Sequence, residues 1–287
     1  MLEMLLNPRK AERRPWELLF VGAFYASLSI LLVDWIFSND AVLSKYSGIL
    51  VVTFTVMFST PFVFYTIKLE EKKINSSSGM LSLLKEHTRA LYVFLFLFLG
   101  FVIAFSFWYI VLSSTESFQA QIETYCLINR RSEFDNCVRQ YTSKDFTSTT
   151  GLVTSNERFL AIFQNNIYVL IFTLIFSLIF GAGVIFVLAW NASVIAAAVG
   201  IFSKSDLSAL PLGLGRYMIH GIPEIASYFI VALAGGIMSV AVIKHEIGTE
   251  KFWEVLQDSI NLIIVSVVVL LLAALMEVYI TPHLFYN

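Results

Sequence analysis

His220 and Glu224 are the residues whose types and spacing could do chemistry: an imidazole and a carboxyl four positions apart in a stretch, Arg216 to Ile243, otherwise apolar enough to cross a bilayer. On one helix, positions i and i+4 share a face, so the pair could act as a base with its partner or as two metal ligands. An ionisable group at membrane depth costs about 3 kcal/mol or more unless it is paired or hydrated, which makes both residues functional-site candidates by position. Asn165, Asn166 and Asn191 add amides to the same candidate polar cluster. The plainer reading is that such a set ties helices together. A catalytic metal usually takes three protein ligands, and neither His245 nor His283 is placed to supply the third. No metal, no cofactor and no catalytic residue are therefore expected.

The depth of the pair depends on where its helix begins, and two registers are open. If Pro223 is the first helical residue, its missing N–H costs nothing, Glu224 meets the positive end of the helix dipole, and about 21 residues remain to span. If the helix starts near Arg216, it is roughly 28 residues and about 42 Å long, Pro223 lies inside it, and both side chains point into a bundle.

Composition sets the solvent. The chain has 57% hydrophobic and 14% charged residues with a net charge of -2, well below the roughly 25% charged of soluble domains. It reads as an all-α, polytopic membrane protein whose first partner is the lipid bilayer. Without a basic stripe it is not expected to bind nucleic acid. The first apolar segment is too long, at about 22 residues, and lacks the small-residue motif of a cleaved signal, so it is expected to remain as a span.

About six spans are expected. Three fill the N-terminal half, residues 1–112, at about Pro15 to Phe37, Tyr46 to Ile67 and Tyr92 to Leu112. Residues 113–158 turn polar and form an extramembrane loop holding both cysteines, Cys126 and Cys137; in an oxidising exterior they would close a disulfide worth about 3 kcal/mol. Zinc is not expected there, since the loop has no histidine. The C-terminal half, 159–287, is expected to hold three more spans, from Phe159 to Trp190, across the central stretch, and from Ile260 to Ile280. Asn191 to Phe202 reads as a short re-entrant or buried half-helix, or an extension of the fourth span.

Arg9, Lys10, Arg13 and Arg14, with the lysines of the Lys68 to Arg89 loop, place the N-terminus in the cytoplasm and residues 113–158 outside, in a cell membrane. On six spans Lys204 and Arg216 fall on the inner side, Lys244 and Lys251 on the outer. Glu277 reads as interfacial. Small residues at Gly181 and Gly183, at Ala192, Ala196 and Gly200, and at Gly235 and Gly236 are candidate helix-packing positions, because close backbone approach drives association in lipid. They lead to the expectation of a homo-oligomer, with a dimer favoured.

Asn165-Asn166 opening a span, Gly181 and Gly183, Asn191 followed by small residues, and His220-Gly221-Ile222-Pro223-Glu224 ahead of Ala234-Gly235-Gly236 together resemble the stage II sporulation protein M family of integral membrane proteins. The resemblance covers roughly Arg158 to Ile280. It implies a non-catalytic membrane component, a scaffold or assembly factor in membrane or cell-envelope remodelling, with envelope or membrane proteins as partners. Two other classes stay open on the residues alone. One is a transporter or channel with a polar path at Asn166, Asn191, His220 and Glu224. The other, less favoured, is an intramembrane hydrolase built on His220 and Glu224.

Overall fold

The computed structural model describes residues 8–40, 42–71, 80–112, 116–129, 134–142, 155–180, 184–203, 207–244 and 248–285. Among them the regular structure is helical throughout. Seven helices are long and apolar enough to cross a membrane. A short amphipathic α1 (Pro8–Arg13) leads into α2 (Glu17–Phe37), α3 (Ser47–Glu71) and α4 (Met80–Leu112). Two shorter helices, α5 (Gln119–Asn129) and α6 (Phe134–Thr142), follow. Four more helices of spanning length follow among the described residues, α7 (Ser155–Phe180), α8 (Val184–Ser203), α9 (Leu210–Ile243) and α10 (Glu250–Leu275). A π-helical turn at Met276–Ile280 and α11 (Thr281–Phe285) end the described chain.

Seven spans replace the expected six because the segment from Phe159 to Trp190 is two helices. α7 stops at Phe180 and α8 starts at Val184; Gly181 and Gly183 lie outside the described residues. Glycine is about 1 kcal/mol less favourable than alanine in a helix, and a single helix from Phe159 to Phe202 would be about 66 Å long, twice what a bilayer takes. Asn191 to Phe202 is accordingly no half-helix but the second half of a full crossing. The unit from 159 onward holds four spans. With an odd number of such helices, Arg216 near the start of α9 falls at the opposite end of the bundle from the start of α2, and Lys244 and Lys251 at the same end.

Met80 opens a continuous helix through Leu112, so the helix of the third span starts well ahead of the expected Tyr92. Residues 113–158 contain the two helices of a hairpin closed by a Cys126–Cys137 disulfide. Both cysteines, with Phe118 and Ile122, are buried against the bundle. Gln121, 1% exposed, donates to the Gly48 carbonyl at 2.9 Å and to Ser193 Oγ at 3.2 Å. One polar side chain of α5 thereby reaches both α3 and α8.

Close backbone approach sets the packing. Gly22 on α2 and Gly100 on α4 face one another so tightly that a Cβ on Gly100 would stand 2.8 Å from the Ala23 nitrogen. A Cβ on Gly235 would lie 2.9 Å from the Leu174 carbonyl oxygen of α7. Gly236 is also buried, and Ala192, Ala196 and Gly200 of α8 are fully covered or nearly so, with Gly200 against the Tyr109 ring of α4. These stripes are spent on contacts within one chain. α9 is the centre: 83% of its apolar window is buried, and it touches α3, α4, α7, α8 and α10.

Candidate functional site, a polar cluster where α7, α9 and the end of α10 meet

α9 is one helix from Leu210 to Ile243, with Pro211 at its start and Pro223 inside. The helix starts ahead of both registers, and as in the longer one Pro223 lies inside it. Proline in the first turn needs no N–H partner, while Pro223 removes one main-chain donor in mid-helix. His220 and Glu224 follow one another on successive turns of this helix, but each finds its partner elsewhere.

Glu224 Oε1 accepts a hydrogen bond from the Tyr228 hydroxyl at 3.0 Å, and the Asn166 side chain of α7 hydrogen-bonds to the same carboxyl. Tyr228 is fully buried and Asn166 is 5% exposed. Asn165 Nδ2 donates to Asn166 Oδ1 at 3.3 Å, a second amide behind the first. Ser227 Oγ donates to the Glu224 main-chain carbonyl at 2.6 Å. α7 and α9 are therefore joined by amide, carboxyl and phenol groups above the glycine contact at Gly235.

His220 Nδ1 lies 3.2 Å from Thr281 Oγ1, and that hydroxyl donates to the Met276 carbonyl at 3.2 Å. With the hydroxyl proton directed at Met276, the imidazole Nδ1 is the donor to Thr281. The π-helical turn at Met276–Ile280 makes this contact: its wider winding offers a main-chain carbonyl that Thr281 reaches five residues on. Such turns recur at functional positions. The same turn carries Glu277, close enough for its charge to act on Glu224, Tyr217 and Tyr228. Glu277 thus acts on the cluster from the end of the neighbouring helix. Antiparallel pairing of α9 and α10 brings the end of one to the start of the other, a register the sequence alone did not disclose.

The rim is aromatic. Tyr217, one turn before His220, has its ring 6.4 Å from the imidazole, and its hydroxyl hydrogen-bonds to Tyr125 of α5. Tyr125 in turn packs edge-on against Tyr141 of α6 at 6.0 Å. Arg216 lies over the Phe202 ring at 4.8 Å. The disulfide-closed hairpin therefore touches α9 one turn before His220.

Asn191 is not part of it. Its Nδ2 donates to Val187 O of its own helix at 2.8 Å, and no hydrogen bond among the described residues joins it to His220 or Glu224. Among the described residues no three His, Cys, Asp or Glu side chains converge as a metal site; His245 lies outside those residues, and His283 is exposed.

A second polar pair lies toward the other end of the bundle. His87 Nδ1 and Glu70 Oε2 are 2.6 Å apart with both side chains fully buried. Reading Lys68 to Arg89 as a solvated loop hid it; the signal was a carboxyl and an imidazole in the turns on either side of a helical reversal.

The fold and the cluster define a multipass α-helical membrane protein. The family model described as Stage II sporulation protein M matches residues 90–282, well over half of the chain, and the chain belongs to that family. The match starts within α4, so it takes in the disulfide hairpin as well as the region from Arg158 onward. An uncharacterised protein of Methanocaldococcus jannaschii is 29% identical over 152 residues, 52% of this chain and 84% of that protein. No solved structure matches the chain.

Proposed function

We propose that this protein is a non-catalytic scaffold or assembly factor of the cell membrane, acting in membrane or envelope remodelling with envelope or membrane proteins as partners. One observation carries the reading: the ionisable groups of α9 meet side chains of their own chain, His220 on Thr281 and Glu224 on Tyr228 and Asn166. Such a cluster fixes the angle between α7, α9 and α10. In this reading the N-terminus is cytoplasmic and the hairpin faces outward, where its disulfide is stable.

A second reading has a specific observation in its favour. Glu277, on the π-helical turn, acts electrostatically on Glu224, and two coupled carboxyls are suited to passing a proton or cation. Reconstitution into proteoliposomes separates the two. The scaffold reading expects proton and cation flux no greater than in empty vesicles, with cross-linking in native membranes capturing the same proteins from wild type and Glu224→Gln. Flux that disappears in Glu224→Gln would replace the first reading with the second.

A further inference from the structure

We propose that the lipid-facing surface of α7 is the contact by which two copies of this chain pair side by side, with Gln164 as its polar centre. α7 is the least enclosed span: 17% of its apolar window is buried, against 33 to 83% in the other six. Its exposed positions Ala161, Gln164, Tyr168, Ile171, Ile175 and Leu178 alternate three and four residues apart, the repeat of a left-handed helix pair. Any uncovered helical face shows that spacing, so the spacing does not carry the argument. Gln164 does.

Its carboxamide is exposed about 8 Å inside a span that begins at Phe159, by 1.5 Å per residue. Its Nε2 donates to the hydroxyl of Tyr168, one turn deeper and also exposed, at 3.0 Å. That bond uses one of the two N–H groups and leaves the carbonyl oxygen and the second N–H without a hydrogen bond among the described residues; on a span of this length they would meet hydrocarbon, which offers none. A carboxamide holds donor and acceptor in equal measure, so a copy related by a two-fold axis completes it; the surface is its own complement. A single amide in an otherwise apolar seam also sets register and copy number. A partner carrying charge finds nothing to pair with, since residues 159–180 contain no Asp, Glu, Lys or Arg. The small-residue stripes cannot serve instead, because Ala192, Ala196 and Gly235 are buried within the chain.

This pairing deepens the scaffold reading and is tested apart from it. The two native cysteines form the disulfide, so a single added cysteine reports its own neighbours. Ile171→Cys in the full-length chain, oxidised in native membranes, is expected to give a band of twice the chain mass. Ile264→Cys, exposed on α10, is expected to stay single. Adding Gln164→Leu to Ile171→Cys should cut the dimer yield by roughly fivefold, the size of an interhelical polar contact in lipid, while Gln164→Asn should restore most of it. Both changes lie on the lipid face and leave intrachain packing alone. Ile171→Cys remaining monomeric, joining a protein of another mass, or cross-linking no better than Ile264→Cys would overturn the proposal, as would an unchanged yield with Gln164→Leu. None of these outcomes alters the flux measurement that tests the scaffold reading.

Discussion

At Glu224 the surrounding residues decide what the carboxyl does. A carboxyl group deep in a bundle is tolerated when hydrogen bonds replace water, and Tyr228 and Asn166 supply them. Removing one partner leaves the other group buried and unsatisfied, which costs about 1–3 kcal/mol. Tyr228→Phe is therefore expected to lower the thermal midpoint of the protein in detergent, and Tyr228→Phe combined with Glu224→Gln to recover part of the loss. Asp40 makes a different prediction at the same scale. The main-chain N–H groups of Leu43 and Val42 donate to its exposed carboxyl and hold it below the ordinary aspartate range. A depressed folded value means the contribution is present above about pH 4, the unfolded value, and disappears as pH falls through the folded one. Amide exchange at Leu43 should quicken over that interval in wild type and show no such step in Asp40→Asn. Of these residues, His220, Glu224, Asn165 and Asn166 were legible from type and spacing. Glu277, Tyr228 and Thr281 were not, because a tyrosine or threonine in an apolar run carries no signal until a partner helix is placed beside it.

Helix boundaries were readable where hydropathy and length agreed, and not where two helices shared one apolar run. α2 and α4 stood out as uninterrupted apolar segments; α7 and α8 merged, since the sequence between Phe180 and Val184 hardly interrupts hydropathy. Small residues were legible as packing positions, but their partners were not. Gly22 and Gly100 went unnoticed because each sits alone in its span, yet they make one of the tightest backbone contacts. Gly22→Leu is expected to separate α2 from α4 and destabilise the protein by about 3 kcal/mol or more, measured as a lower melting temperature. Gly215, where an added Cβ meets nothing within 4 Å, should accept alanine with little change.

Across the whole molecule, the hairpin of α5 and α6 links the two halves. Gln121 reaches α3 and α8, and Tyr125 reaches α9, so the hairpin is braced on helices from both sides of the chain. The cysteine pair was evident from two thiols in one polar segment; that the segment folds into helices packed on the bundle was not, because its apolar residues are few and widely spaced. Replacing Cys126 and Cys137 by serine should remove about 3 kcal/mol and loosen the Tyr125–Tyr217 contact. Both effects would be read as earlier unfolding and faster proteolysis between residues 113 and 158.

α9, enclosed on nearly every side, leaves the ribosome sixth among the seven crossings. Until it arrives, α3, α4, α7 and α8 border an unfilled slot lined with Phe94 and Phe98, whose rings pack on Phe229 in the finished fold. A nascent chain halted after Ser203 would thus expose to lipid, and to the cell's membrane proteases, a groove shaped for a helix that has yet to be synthesised.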